Sequence, residues 1–485
     1  MNEEEAELLP PYLRPYPPSG APLGTLSYNR RSKCWVVKGD PSVTEVCKRL
    51  FPGSAGSRRG EARFTAHRRA VGDLCWLMMR FPLEIKASDR ALWEKAVTGA
   101  REYAVRQAKM ATMPVRMTPP DGAFLGTLRP FQEEGLAYLC SHDRCLLADE
   151  MGLGKTVQAL AVLSSTGSLP VLLIPPALLT RNWQEETPRF LRVDGKAPRV
   201  HTIRGLKPYD LPEADVYIMH YLLLRGWKSV LPTLPFRSVI FDEIQELRHA
   251  GTEKYSAASL LSESCERVIG LSGTPIYNRG GEIWNVINIL DYHFLGDWES
   301  FSREWCSGYG NQLVLKPDLL GAYLRREGLM LRRTKQEVLR ELPPKRRLVQ
   351  ELDWNDKVYA QLMAPVMRDV LRWKQDDQLS AQERAMLEES ISQHARQATG
   401  VAKAPYVCQF VRALLDGGEK VLLFAHHHQV MDIYKQELKA FSPGFITGRE
   451  TTLAKMNAVD RFQSGRTDVL CISLRAASGL NLQRA

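Results

Sequence analysis

No stretch of eighteen consecutive apolar residues occurs in the chain, and its opening, MNEEEAELLPPYLRPYPPSG, has no basic segment leading into an apolar one. Neither a membrane-spanning helix nor a secretory leader is therefore expected. The nine cysteines, scattered from Cys34 to Cys471, include no C-x-x-C pair and no histidine partner at zinc-finger spacing. That pattern argues against a zinc site and reads as reduced, mostly buried thiols of an intracellular protein, cytoplasmic or nucleoid-associated, or nuclear in a eukaryote. Internal repeats and long low-complexity tracts are also missing, which argues against a solenoid. Neither a kinase catalytic loop nor a guanine-reading N-K-x-D tetrapeptide stands where a kinase or a GTPase-like switch would need it.

What is present is a chain of 485 residues, long enough for about three domains. Its net charge of +10 is unevenly spread: residues 1–120 hold 20 Lys/Arg against 12 Asp/Glu, a surplus of 8, and the other 365 residues add only 2. A basic N-terminal module beside a near-neutral body suggests either a surface for nucleic acid or a solvated basic face. Residues 1–22, acidic and proline-rich, read as a flexible lead. Residues 23–115 mix short alternating runs with amphipathic helical ones and suit a small α+β accessory module. Its arginines Arg58, Arg59, Arg63, Arg68 and Arg69 either lie on nucleic-acid backbone or are plainly solvated. Ser88 to Met110 reads as one helix with Ser88 as N-cap, followed by a proline-containing linker.

The densest chemistry lies in RCLLADEMGLGKTVQAL, Arg144 to Leu160, which reads as strand, phosphate loop, helix. Gly152 and Gly154 let the backbone approach a polyphosphate, Lys155 supplies a charge for the β- and γ-phosphates, and Thr156 a hydroxyl for magnesium. Asp149 occupies the place where the usual pattern has its first glycine. About twenty residues upstream, Gln132 opens an amphipathic helix; an amide there can donate to and accept from adenine, or be a plain surface residue. Downstream, RSVIFDEIQELRH is a buried strand ending in two carboxylates. At the carboxyl end of a parallel strand, Asp242 and Glu243 face the same crevice as the phosphate loop, Asp242 for magnesium and Glu243 for the attacking water. RVIGLSGTPIYNR is a further strand ending at Ser272, Gly273 and Thr274. Alternating strands and helices imply a doubly wound parallel α/β sheet.

These residues resemble a known family, the Swi/Snf-type helicase-like ATPases of superfamily two. LRPFQEEGLAYL resembles their adenine-reading motif, DEMGLGKT motif I, LLIPPALLTRNWQEE motif Ia, IMHYLLLR motif Ib, DEIQ motif II and LSGTPIYNR motif III. VLLFAHHHQVMD is similar to motif IV and LRAASGLNL to motif V, with wording closest to the annealing-helicase subgroup. The resemblance implies two RecA-like lobes, residues 116–345 with a helical protrusion and residues 346–485 with a helical insertion at about 355–400, the second lobe incomplete. It implies ATP and Mg2+ as cofactors, double-stranded DNA bound with little regard to sequence, and a DNA-dependent ATPase that translocates or remodels. Nucleotide contacts fall to Gln132 and to Asp149, Glu150, Met151, Gly152, Leu153, Gly154, Lys155 and Thr156. Catalysis falls to Lys155, Thr156, Asp242, Glu243 and Gln245, with the metal on Thr156 and Asp242. Coupling or DNA contact falls to Ser272, Thr274, Arg332, Arg333, Gly479 and Asn481, although Arg332 and Arg333 equally suit bracing.

Two departures accompany the match. Gln245 stands where the family usually has histidine; either side chain can hydrogen-bond toward motif III or the second lobe. The sequence also stops after motif V, before the arginine fingers of motif VI, so weak hydrolysis is expected unless another polypeptide completes lobe two. The alternative is a non-catalytic, ATP- and DNA-binding regulatory protein. The His426, His427 and His428 run is not expected to bind metal, and Trp183, Trp284, Trp298 and Trp305 are expected to be packing residues.

Overall fold

The structure is a computed structural model that describes residues 3–14, 20–31, 34–51, 60–275, 279–307, 313–339, 341, 347–376, 379–474 and 482. Gly479 and Asn481, like Arg58 and Arg59, lie outside the described residues. The chain divides into two units, the first Met1–Pro176 with Thr180–Arg340, the second Ala177–Leu179 with Glu341–Ala485.

The first unit begins with the accessory module. Strands β1 (Gly24–Asn29), β2 (Cys34–Gly39), β3 (Glu61–Thr65) and β4 (Glu84–Ile85) form a sheet in the order β3-β2-β1-β4, antiparallel except for β4 beside β1. Helix Arg68–Arg80 turns Val71, Leu74, Cys75 and Leu77 inward, the three-and-four spacing of an amphipathic helix. Trp35 is the centrepiece, edge-on to Tyr28 and to Trp93, each 5.0 Å away. The long helix Arg90–Thr112 starts after Asp89, not Ser88, because the Asp89 carboxylate is drawn off to the backbone N–H of Tyr28 and a turn of tighter helix fills Ala87–Asp89. The expected flexible lead is also corrected. Glu3–Glu7 is helical, Leu9 and Leu13 are buried in the module core, and Arg101 donates to the Leu13 carbonyl at 2.8 Å. Two apolar side chains at the ends of a short proline-bounded stretch suffice to hold it there.

The same unit carries a sheet of seven strands. In chain order these are β5 (Arg144–Leu147), β6 (Val171–Ile174), β7 (Val200–Thr202), β8 (Val216–Ile218), β9 (Ser238–Asp242) and β10 (Arg267–Leu271). A small hairpin of β11 (Cys306–Ser307) and β12 (Leu313–Val314) intervenes before the seventh, β13 (Met330–Leu331). The order is β13-β5-β10-β9-β6-β8-β7, and each pairing is parallel. Helices cover both faces of such a sheet, which is why β6, β9 and β10 are buried along their whole length and read as unbroken apolar runs. The expected protrusion does not stand off from it: helices Gly280–Leu290, Trp298–Trp305 and Pro317–Arg326 place Ile283, Ile287, Phe301, Leu320 and Leu324 in the same core as Leu146 and Val239.

The second unit has three parallel strands, β14 (Val421–Ala425), β15 (Gly444–Ile446) and β16 (Val469–Ser473), in the order β14-β16-β15. Helices His428–Glu437 and Thr452–Gln463 connect them. The insertion holds three helices, Asp356–Met363, Met367–Gln375 and Ala381–Asp416. The last, 36 residues long, leaves the insertion and joins the sheet's core through Cys408 and Val411. Both units are thus α/β with parallel sheets, as expected. None of the nine cysteines is in a disulfide. Among the described residues no helix is long and apolar enough to cross a membrane, and no cluster of three His, Cys, Asp or Glu side chains suits a metal, the histidine run included.

Candidate nucleotide site

Strand β5 ends at Leu147, and Gly154, at φ 73°, caps the helix Lys155–Thr166. Gly152 is also left-handed, at φ 86°. The two glycines turn the chain sharply enough to bring the first helical N–H groups around to the strand's end. A side chain at Gly154 is excluded twice over, since its Cβ would lie 2.5 Å from Gln132 Nε2. The register then fixes where the acids sit. Leu147 of β5 lies opposite Leu271 of β10, and Leu271 opposite Asp242 of β9. Three strand ends are therefore level, with the phosphate loop at one side and the carboxylates at the other.

Lys155 Nζ donates to the Asp149 carbonyl at 2.9 Å. Burial lowers its pKa, the carboxylates of Glu243, Asp242 and Asp149 oppose that, and the Arg332 guanidinium adds to it. Lys155 and the acid pair thus stand near one another at the level strand ends. Gly273 lies close as well: a Cβ there would meet Met151 Cγ at 2.6 Å and stand 3.7 Å from Lys155 Nζ.

Asp242 is 7% exposed. Burial pushes its carboxyl up to about 6, the indole N–H of Trp183 at 2.8 Å pulls it down, the Glu243 charge pushes it up, and Lys155 pulls it down again. Tyr221 Oη donates to the Asp242 main-chain carbonyl at 2.8 Å and so pins the strand end as well. Glu243 follows in the left-handed region at φ 51°, a conformation that costs a non-glycine residue about 1 kcal/mol or more and turns its side chain out of the strand direction. Gln245 donates to Glu243 Oε2, and its Oε1 accepts from Ser272 Oγ at 2.8 Å. Ser272 Oγ accepts in turn from the Thr274 N–H at 3.1 Å. The glutamine that replaces the family's histidine therefore links the general-base candidate to motif III.

Five sequence-selected residues are used inside the protein. Asp149, fully buried, takes Arg333 Nε at 3.0 Å on one carboxylate oxygen and Arg333 Nη2 at 2.5 Å on the other. Arg333 also donates to Gln158 Oε1 at 2.9 Å and to the Phe131 carbonyl, and Gln158 returns a bond to Asp149 at 3.1 Å. Arg333 is thus held inside the first unit. Arg332 donates to the Ala148 carbonyl at 2.9 Å and the Gly273 carbonyl at 3.3 Å, tying the phosphate loop to motif III. Glu150 accepts from the Lys335 N–H at 2.7 Å. Gln132 accepts from the Arg129 N–H at 2.9 Å and donates to the Leu153 carbonyl at 3.2 Å. That leaves its amide one donor hydrogen and one acceptor lone pair. Thr156 sits in the first turn of the loop's helix.

Sequence reasoning missed Gln158 and took Trp183 for packing. Trp183 is 1% exposed and does pack, yet its one polar atom serves Asp242. Nothing in a single sequence separates those uses of a tryptophan. The donor set suits a magnesium nucleotide: one carboxylate, one hydroxyl and a nest of N–H groups with a lysine, the sparse protein ligation that magnesium shares with phosphates.

A profile of the SNF2-related domain matches residues 74–399. Among curated relatives, the chain is 28% identical over 394 residues to the Caenorhabditis elegans homolog of SWI/SNF-related matrix-associated actin-dependent regulator of chromatin subfamily A-like protein 1, covering 76% of this chain and 54% of that protein. It is 30% identical over 392 residues to the Xenopus laevis protein of that name, covering 76% and 39%. To the mouse DNA annealing helicase and endonuclease ZRANB3 it is 27% identical over 369 residues, covering 72% and 34%. The chain thus spans about half, or less, of the length of these relatives. Among solved structures, the Sulfolobus solfataricus SWI2/SNF2 ATPase core in complex with dsDNA aligns with a TM-score of 0.41 at 21% identity, over 72% of this chain and 78% of that one. With two thirds of its length matched by the domain profile, the chain belongs to the SNF2-related family.

Proposed function

We propose that this chain binds ATP with magnesium in the first unit and hydrolyses it to move along or remodel double-stranded DNA. The observation that carries the reading is the level ends of β5, β10 and β9, which set the loop bearing Lys155 beside Asp242 and Glu243. There Gly152 to Thr156 cradle the phosphates, Lys155 offsets their charge, and the remaining donor and acceptor of Gln132 face the base. Magnesium, held by Thr156 and Asp242, would supply neutralisation of the β- and γ-phosphate charge. Glu243 takes the proton of the attacking water, and Gln245 holds Glu243 in line while its other end senses Ser272. DNA as the partner is supported by the relatives, a chromatin regulator and a DNA annealing helicase.

The test is ATP turnover of the purified chain with and without duplex DNA, alongside Lys155→Ala and Glu243→Gln. Stimulation by duplex, loss in both variants with the fold intact, and retained nucleotide binding in Glu243→Gln are expected. Duplex affinity should fall steeply with salt, because contact to phosphates releases counterions. Turnover that survives both substitutions would refute the site.

A further inference from the structure

We propose that the accessory module is a brace for the nucleotide site: Arg68 and Arg106 grip Asp291 at the end of helix Gly280–Leu290, and through that helix they hold the loop that carries Glu243 and Gln245. This rests on the reading of that loop as part of the ATP machinery, and it gives the module a task other than contact with nucleic acid.

The grip is a three-charge cluster built from separate elements. Arg68 Nη1 and Nη2 reach the two Asp291 oxygens at 3.0 and 2.7 Å, and Nη2 also donates to the Tyr292 carbonyl at 3.0 Å. Arg106 Nη2, from the module's long helix, adds a bond to Asp291 at 2.5 Å. The three side chains are only 15%, 12% and 8% exposed, in the order Arg68, Arg106, Asp291. Taking charges out of water is costly, and a buried cluster of this kind adds little net stability while it fixes register firmly. A tether alone would not need it. Around it, Tyr103 Oη donates to Glu327 at 2.7 Å and His67 Nε2 lies 3.1 Å from Tyr323 Oη, so both module helices seat on the ATP-binding body.

The gripped helix leads to the acid loop by two routes. From its middle Asn285 Nδ2 donates to the Arg248 carbonyl at 2.7 Å, and Arg248 binds the Gln245 carbonyl through both its N–H and its guanidinium, each at 3.1 Å. At its gripped end Leu290 and Ile244 both approach Gly270 of β10: a Cβ there would meet Ile244 Cδ1 at 2.9 Å and Leu290 Cδ2 at 3.2 Å. A shift of the helix therefore moves Ile244 or Gln245, the neighbours of Glu243. Arg68 and Arg106 are positioning residues, and neither is available to a nucleic-acid phosphate; of the arginines suggested for that role, Arg68 is thereby withdrawn.

The experiment compares the full chain with Arg68→Gln, Asp291→Asn and the milder Arg68→Lys, which keeps the charge but loses the fork. Hydrogen exchange, affinity for a fluorescent ATP analogue, and kcat and KM with duplex DNA are read for each. Exchange across 243–248 and 280–290 should rise about tenfold while helix Lys155–Thr166 keeps its protection. kcat should fall about tenfold with KM for ATP within about twofold, and Arg68→Lys should lie between wild type and Arg68→Gln. A variant that is folded, binds the analogue normally and shows unchanged exchange in 243–248 overturns the brace. If Arg68→Gln and Asp291→Asn do not fold, Arg68→Lys decides by the same exchange readout. If the wild type turns over no ATP, the proposed function fails, and the exchange measurement still decides the brace.

Discussion

Trp183 donates its indole N–H to Asp242 Oδ2 at 2.8 Å, with both side chains out of solvent. The bond fixes one oxygen of a carboxylate that is almost wholly buried. A hydrogen bond to a charged group is worth about 1.5–3 kcal/mol. Trp183→Phe, which keeps most of the ring and removes the donor, should lower stability by about that much in urea titration. It should also weaken magnesium-dependent nucleotide binding about tenfold and leave metal-free binding unchanged. Equal loss with and without magnesium would show that the indole only fills space.

The pair Asp149 and Arg333 should behave as a structural rivet. Each fork nitrogen of the arginine that faces Asp149 is bonded, and the carboxylate is fully buried. Asp149→Asn or Arg333→Met is expected to cost about 3–5 kcal/mol in chemical denaturation. Arg333→Lys should fare little better, because a lysine cannot reproduce the fork. Near-native stability of Arg333→Lys would remove the argument from geometry.

Acid should undo the module's grip in a defined window. Burial alone would raise the Asp291 carboxyl, but Arg68 and Arg106 outweigh it and bring it down to about 2. A folded pKa below the unfolded one contributes stability above the ordinary carboxylate range, and that contribution is lost as pH falls from about 4 to about 2. The stability gap between wild type and Asp291→Asn should stay level from about pH 5 to 8 and narrow below about 4. Thermal midpoints across that range would check it; a gap that widens with acid would reverse the sign.

Gln245 joins Glu243 to Ser272, and its two ends call for different substitutions. Gln245→Ala should cut DNA-stimulated kcat about tenfold with ATP KM nearly unchanged, since the bond acts on the base and not on the nucleotide. Gln245→His, which keeps a donor and an acceptor, should retain most of the rate. Steady-state kinetics with duplex DNA separates the two cases.

The residues legible in the sequence were those whose chemistry demands neighbours along the chain. A phosphate cradle needs consecutive N–H groups, so Gly152, Gly154, Lys155 and Thr156 fall within five positions, and a strand that ends in acids announces Asp242 and Glu243 by its unbroken apolar run. The parallel sheet followed from the same alternation. Less legible were the places where periodicity is weak: the lead that Leu9 and Leu13 pin down, and the insertion whose last helix runs on to Asp416.

What only the tertiary structure decided are the contacts between residues far apart in the chain. Asp149 meets Arg333 across 184 positions, Arg68 meets Asp291 across 223, and Trp183 meets Asp242 across 59. A buried charge must find its opposite, but spacing along the chain does not say which one, because the partner is chosen by how strands and helices stack. The sequence by itself singled out the residues proposed for the nucleotide; the packing determined which arginines are paired inside the protein with Asp149 and Asp291.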